Sequence, residues 1–342
     1  MDVLSQWLAL MPVSGRVETR CHFGAPWRIA PGPAAQLEIP FHVLLEGTAV
    51  LEVPGRAPVA LQPGDVVLLP HGDAHRLHDG SGQPPQGAME RASTVLTVAE
   101  NLGDGPVADL LCGRFLLSAQ SGPMVHQFLP TSLVVSSHRA RRQSNETDKA
   151  ADTANTEGTD DTDDTDDTDD AATRQRLAQL IGLMRLEAQE EGPGSEAVIG
   201  HLCGALFSLA LRRASRQQGG DGGEGEGAKT LLALAHRTSL QPALMAMFSQ
   251  PQRPWTLPEL AALCHMSRAT LIRHFETATG HSPAELLLQI RMARAMQRLL
   301  QSERSAAAIA EEVGYQSEAA FQRAFKRHLG ITPAKFRAAQ GR

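Results

Sequence analysis

One unit occurs twice between residues 255 and 337, and this repetition constrains the chain more than any other feature. The first copy reads LAALCHMSRATLIRHFETATGHSPAEL from residue 260. The second reads IAEEVGYQSEAAFQRAFKRHLGITPAKF from residue 309. Leu260 aligns with Ile309, Ser267 with Ser317, Phe275 with Phe325, Gly280 with Gly330 and Pro283 with Pro333, and Gln316 is extra in the second turn. Internal repeats fix architecture before other signals do. A unit this short, recurring once, is no solenoid and reads as two helix-turn-helix motifs.

Each unit can be read residue by residue. Short helices are predicted over 258–264 and 306–313, followed by tight turns at His265-Met266 and at Gly314-Tyr315-Gln316. Gly314 suits a left-handed backbone. Ser267 and Ser317 stand where N-caps belong. The second helix of each unit buries Leu271 and Phe275, or Phe321 and Phe325, at helical spacing. Gly280 and Gly330 end these helices. Ser282-Pro283 and Thr332-Pro333 begin the next ones with a cap and a proline. A connecting helix over 284–301 carries Arg291, Arg294 and Arg298.

The outward faces of the second helices carry side chains that read base edges. They are Ala269, Ile272, Arg273 and Glu276 in the first copy, with Ser267 at the helix start, and Ala319, Gln322, Arg323 and Lys326 in the second. Arg bonds guanine in two places, Gln bonds adenine, and Ala or Ile meets a thymine methyl. Residues 252–342 hold 13 Lys and Arg against 7 Asp and Glu, a net of +6, which leaves −12 for the rest of a chain whose total is −6. A basic segment in an acidic protein is the electrostatic mark of a phosphate binder. The other reading is a plain helical bundle with solvated arginines, which does not account for two copies in register with matching caps.

The pattern Ile309-Ala310, Val313-Gly314-Tyr315, Ser317, Phe321, Phe325-Lys326, Gly330, Thr332-Pro333 and Phe336-Arg337 resembles the DNA-binding domain of the AraC/XylS family of bacterial transcription regulators. The resemblance implies two recognition helices in successive major-groove segments, about 34 Å apart. It carries the family's base contacts to Ala269, Ile272, Arg273, Ala319, Gln322 and Arg323.

Earlier in the chain, residues 36–77 alternate and turn like antiparallel β structure. Strands are predicted at 41–45, 49–53, 59–61 and 66–69, then at 93–97 and 109–117, with a last β-like segment over 124–135. Short strands with Gly and Pro turns indicate a small barrel or sandwich. The aromatic share is 4%, so aliphatic and Ala packing must dominate. The run LQPGDVVLLPHGDAHRL from residue 61 resembles the cupin barrel that serves one branch of the AraC family as a sensor domain. Cupin enzymes hold a metal with clustered His and a carboxylate. His22, His42, His71, His75 and His78 are present, but around His42 the close HxH pair with a following Glu is missing. No enzyme activity, catalytic residue or cofactor is therefore expected. His42 and His75 are the weak candidates for a regulatory metal.

Cys21 has Arg20 and His22 beside it, and Cys112 has Arg114 two residues on. Nearby cations favour the reactive thiolate, whereas a buried Cys is usually an inert small hydrophobe. The N-terminal 27 residues and the PGDVVLLPHGDAHRL stretch together resemble the reactive-chlorine-responsive activators of enteric bacteria, a branch of the same family. That resemblance implies that Cys21 and Cys112 are redox-sensing residues that join in a disulfide on oxidation. The expected function is thus an oxidant-responsive regulator, an activator. The alternatives are a regulator sensing a small organic ligand or a metal and, against the missing metal cluster, a cupin metalloenzyme fused to a DNA-binding tail. Cys21 is expected in a mobile segment ahead of the barrel, as the first thiol attacked. Cys112 is expected on a strand as its partner, and Cys203 and Cys264 as packing residues.

The expected fold is α+β and multidomain: a cupin-like barrel with dimerisation helices, then an all-α tandem helix-turn-helix domain. The expected divisions are 1–138 sensor, 139–172 acidic disordered insertion, 173–216 helical pairing segment, 217–230 Gly-rich linker and 231–342 DNA-binding domain. Residues 145–170 carry 12 acidic side chains and a TDD repeat, too polar to fold alone. Helices over 174–191 and 195–213 carry apolar stripes, Leu177, Leu180, Ile181, Met184 and Leu186 on the first and Val198, Ile199, Leu202, Leu206 and Leu209 on the second. A further helix is predicted over 240–250. No apolar run of membrane-spanning length is read, and the first residues suggest a short amphipathic helix with Leu4, Leu8 and Met11 on one side. The expected setting is the cytoplasm, where four Cys form no structural framework. The expected partners are double-stranded DNA at a promoter operator, RNA polymerase and a second copy of the chain.

Overall fold

The computed structural model describes residues 2–93, 95–119, 121–138, 163–190, 192–219 and 230–340. Most of the acidic insertion and most of the Gly-rich linker lie outside them. The first part runs α1 (Val3–Leu10), β1 (Val13–Gly24), β2 (Arg28–Ile29), β3 (Glu38–Glu46), β4 (Ala49–Glu52), β5 (Val59–Leu61), β6 (Asp65–Leu68), β7 (Arg76–His78), β8 (Ala88–Ala92), β9 (Thr97–Asn101), β10 (Val107–Leu117), α2 (Gly122–Phe128) and β11 (Leu133–Ser136). The strands make a seven-stranded sheet, β11-β6-β3-β10-β1-β9-β8, and a four-stranded sheet, β2-β7-β4-β5. Leu44, Val67 and Leu110 from the larger sheet meet Leu51 and Leu77 from the smaller one in a buried layer. The larger sheet is covered on its other face too. Phe115 of β10 lies edge-on to Phe207, 5.1 Å between ring centroids. Hence β6 is buried at all four positions, and its sequence shows no alternation, as a strand covered on both faces requires.

Three local expectations change. The segment carrying Cys21 is not a mobile lead-in: β1 is a twelve-residue strand between β10 and β9. Its exposed Ser14, Arg16 and His22 and its other polar side chains conceal this in the sequence. Residues 124–135 contain the helix α2 before a strand, because Pro123 sits at a helix start. The strand expected at 93–97 is instead the pair β8 and β9.

The pairing segment forms α3 (Asp163–Glu190) and α4 (Ser195–Gly219). Helix α3 begins at Asp163, inside the TDD repeat, ahead of the helix start expected at 174. Asp170 pairs with Arg213 at 2.6 Å and Asp169 with Arg216, which gives the last acidic unit a partner on α4. Helix α4 packs on β1 so closely that a Cβ at Gly15 would stand 2.5 Å from Cys203 Cβ. Leu177, Leu180, Ile181 and Met184 are buried as expected, while Leu186 is exposed with Leu183 and Val198. Among the described residues Ser195–Gln217 is long and apolar enough by composition to cross a membrane, contrary to the sequence reading. Its apolar face, from Ile199 to Ala214, is buried in the protein.

The C-terminal part comprises α5 (Leu231–His236), α6 (Gln241–Ser249), α7 (Leu257–Leu263), α8 (Arg268–Thr279), α9 (Pro283–Gln301), α10 (Ala306–Glu312), α11 (Glu318–Leu329) and α12 (Pro333–Gln340). Helix α5 is additional to the predicted set. The core is continuous between the two parts: Trp7 and Leu10 of α1 belong to the same buried cluster as Leu244, Phe248 and Ile290. Gln6 Nε2 reaches Ser249 Oγ at 3.3 Å.

Candidate nucleic-acid interface and thiol site

Both second helices are built as their sequences require. Ser267 accepts from the Thr270 amide at 3.1 Å and Ser317 from the Ala320 amide at 3.2 Å. Leu271, Phe275, Phe321 and Phe325 are fully buried. Gly280 and Gly330 close the helices in the left-handed conformation, at φ 73° and 75°. This packing fixes which side faces out. Ala269, Arg273, Glu276, Ala319, Gln322, Arg323 and Lys326 are exposed, and Ile272 is half-buried. Ser267 is exposed as well, with its hydroxyl engaged in capping. Gln322 Nε2 donates to Glu318 at 2.7 Å, a bond that any contact with a base must replace. The arginines of α9 belong to the frame: Arg291 donates to the carbonyl oxygens of Pro251 and Arg253, and Arg298 pairs with Glu312.

The thiol site lies in the barrel. In the β1–β10 ladder Cys21 faces Leu110 and Thr19 faces Cys112, which makes the two cysteines diagonal neighbours. Both are free thiols, and Cys21 is near enough to Cys112 to act on its proton. Across the other edge of β10, Cys112 directly faces His42 of β3. His42 Nδ1 lies 3.0 Å from Cys112 Sγ, and His42 Nε2 lies 2.7 Å from His75 Nε2. His75 Nδ1 in turn meets the Asp73 carbonyl oxygen at 3.0 Å.

The expected cations do not serve these thiols. Arg20 and His22 flank Cys21 on a strand, where neighbours point to opposite faces. Arg20 pairs with buried Asp109 at 2.7 Å. Arg114 is held by Glu38 at 2.6 Å and Glu18 at 3.1 Å. The Cys112 thiol is pushed well above its ordinary range, first by its bond with Cys21 and then by burial. Burial, aided by His75, lowers His42 to about 3, and burial lowers His75 too. Cys112 is thus a neutral thiol at rest beside a neutral imidazole. Burial alone pushes Cys203 up to about 12, as its packing position predicts, and it raises Cys264 also.

His42 and His75 offer each other a hydrogen bond rather than a shared ligand sphere. One imidazole presents opposite edges to Cys112 and to His75, so a single ion cannot take both through His42. Among the described residues no group of three or more His, Cys, Asp or Glu is placed to hold a metal. The link from His42 to Cys112 was not readable in the sequence, since 70 residues separate them and only the strand register joins them.

A cupin family model matches residues 2–162, and a helix-turn-helix domain model matches residues 260–339. The chain is 27% identical over 337 residues to the RCS-specific HTH-type transcriptional activator RclR of Escherichia coli K12, covering 98% of this chain and 97% of that one. It is 28% identical over 338 residues to an HTH-type transcriptional regulator of Haemophilus influenzae, covering 98% of both. A solved AraC-type DNA-binding domain from Chromobacterium violaceum is 28% identical, with a TM-score of 0.30, and covers 32% of this chain and 97% of its own. The chain is a transcriptional regulator of the AraC family, with an N-terminal cupin domain and a C-terminal DNA-binding helix-turn-helix domain.

Proposed function

We propose that this regulator is an activator switched by oxidation of Cys21 and Cys112 to a disulfide. The observation that carries the reading is the diagonal placement of two free thiols on adjacent strands of the barrel. With hypochlorous acid the chemistry balances in two steps. One sulfur takes chlorine as water or hydroxide leaves. The other sulfur then displaces chloride and releases its proton as the S–S bond forms. A diagonal pair in a ladder stands at about 7–8 Å, just beyond the usual disulfide span of about 4.4–6.8 Å. Closing the bond therefore shears β1 against β10. Strand β1 is well placed to report that shear: α4 lies against its Gly15, and α1, which precedes it, packs on α6 and α9.

The chain acts on double-stranded DNA at a promoter operator, with α8 and α11 supplying the base contacts through Ala269, Ile272, Arg273, Ala319, Gln322 and Arg323. Ser267 and Lys326 serve the backbone phosphates in this reading. Exposed Leu183, Leu186 and Val198 suit pairing with a second copy. RNA polymerase is the partner that activation requires, and the cytoplasm is the setting that keeps the resting thiols reduced. Non-reducing peptide mapping after hypochlorous acid treatment yields the Cys21–Cys112 cross-link, and Cys21→Ser loses both cross-link and induction. Full induction of Cys21→Ser, with no other disulfide formed, replaces this reading with a small ligand. The cavity of about 540 Å³ lined by Glu52, Arg56, His75 and Arg76 is the place to look for it.

A further inference from the structure

The two histidines behind Cys112 form a hydrogen-bonded row that ends on the thiol. Their hydrogen bonds fix one order of protons. The Asp73 carbonyl can only accept, so His75 Nδ1 carries a hydrogen. His75 is neutral, so its Nε2 is bare and accepts from His42 Nε2–H across 2.7 Å. His42 Nδ1 is then bare in its turn, and it faces the Cys112 thiol at 3.0 Å. Every donor in the row points away from the sulfur, toward His75. His75 lines the open cavity at the edge of the smaller sheet, whereas Cys112 and His42 do not.

We propose that His42 and His75 are a proton relay that takes the Cys112 thiol proton at the moment of disulfide formation and delivers it to that cavity. The inference rests on the thiol-switch reading above. In the closing step Cys112 sulfur attacks the chlorinated Cys21 sulfur. The S–S bond forms, the S–Cl bond breaks and chloride leaves with the bonding pair. In the same step the Cys112 proton passes to His42 Nδ1, and the proton on His42 Nε2 passes to His75 Nε2. His75 becomes the cation. It keeps the new proton on Nε2 and returns to neutral by releasing its Nδ1 proton to water in the cavity as that nitrogen leaves the Asp73 carbonyl. His42 ends neutral with its tautomer reversed.

The relay explains how a thiol held far from ionisation can still act as a nucleophile. It supplies the thiolate only while the bond is forming, so the resting pair stays inert. The charged and titratable groups around the row are Cys21 and Glu18 on β1, Asp73 before β7, and Glu52, Arg56 and Arg76 around the cavity. His42 and His75 are positioning residues for the switch; the reacting atoms are the sulfurs.

The test is rapid-quench measurement of disulfide closure in the full-length protein after one equivalent of hypochlorous acid. His42→Gln keeps an acceptor and a donor in place but cannot pass a proton. It is expected to close about 100-fold more slowly than wild type at neutral pH. Its rate should also climb about tenfold per pH unit, as direct removal by hydroxide requires, while the wild-type rate stays flat near neutrality. His75→Ala opens the cavity end, and added imidazole is expected to restore its rate. Closure of His42→Gln at the wild-type rate and pH profile overturns the relay and leaves the switch standing. Slow closure with an unchanged pH profile, or a His75→Ala rate that imidazole does not raise, overturns it also, since these are the marks of a packing role. Should His42→Gln fail to fold, the His75→Ala arm decides alone. A wild-type protein that forms no Cys21–Cys112 disulfide overturns the switch itself.

Discussion

Aligned on their caps, α8 and α11 bury the same two positions, Leu271 and Phe275 in one and Phe321 and Phe325 in the other, and their units contrast in two respects. One is the turn that precedes each helix. His265 holds a left-handed backbone at φ 51° in the first unit, and Gly314 holds one at φ 88° in the second. The first turn is exposed at His265. The second lies under the chain entering the first unit: a Cβ at Gly314 would stand 2.5 Å from the Gln252 carbonyl oxygen. Arg291 of α9 fastens that same stretch through the carbonyls on either side, at residues 251 and 253. The other difference is charge. The last turn of α11 carries Lys326, Arg327 and His328, and that of α8 carries no basic residue. The comparison teaches that one turn geometry can be optional in one copy and obligatory in the next, depending on what crosses over it.

The turn gives the largest expected effect. Gly314→Ala meets both a left-handed backbone and fixed main-chain atoms, and should cost about 1–3 kcal/mol of stability. His265→Gly removes strain in open space but adds chain entropy, and should shift stability by less than about 1 kcal/mol. Urea melts of the two variants check this. Equal effects would show that the crossing segment at Gln252 yields.

Base reading comes next. Arg273→Ala and Arg323→Ala should each weaken binding to a specific operator by about 1–3 kcal/mol and relax the preference at one base. The positions correspond, so the two losses should fall on bases one helical turn apart. Titration against operators substituted at single positions shows whether they do. A variant that binds like wild type at every salt concentration removes its helix from base reading.

The two halves of the molecule differ in how much of this could be seen beforehand. In the C-terminal part Ser267 caps Thr270, Phe275 lies one turn from Leu271, and Gly280 ends the same helix. Every partner is within a few residues, so spacing alone places it. In the barrel the site is made by register. Cys112 meets Cys21 across one edge of β10 and His42 across the other, while His75 arrives from a loop of the other sheet. No local pattern encodes that meeting, and Arg20, a near neighbour in sequence, turned out to be engaged elsewhere. The cysteine pair was reached through family resemblance, and the histidine row through the strand order. The polar positions of β1 misled for a related reason: a strand buried by its neighbours in space keeps the polar residues that its outer face needs.

Caps sharpen the comparison at a smaller scale. Ser267→Ala and Ser317→Ala should each lower stability by about 0.5–2 kcal/mol. Ser267 also bonds the Thr270 hydroxyl at 2.9 Å, so its loss should be the greater. Thermal melts of the two variants test the ordering, and the reverse order would mean that the second unit depends more heavily on its cap.

The smallest effect is electrostatic and separates the helices by salt. Lys326 and Glu276 occupy equivalent positions, one residue after the buried Phe325 and Phe275. At that position α11 offers a phosphate a cation and α8 offers it a like charge. The log of the binding constant falls with the log of salt in proportion to the phosphates neutralised, by about 0.9 for each. Lys326→Ala should therefore flatten the slope by about one, uniformly across DNA sequences. Glu276→Lys should steepen it by about one if α8 lies as close to the backbone as α11 does. His328 should add nothing, because burial pushes its ring below its ordinary value and leaves it neutral at pH 7. Equilibrium binding across a salt series, on specific and on random DNA, reads all three. A slope unmoved by Glu276→Lys but flattened by Lys326→Ala would mean that α8 stands away from the phosphates and that the second unit alone anchors the protein on DNA.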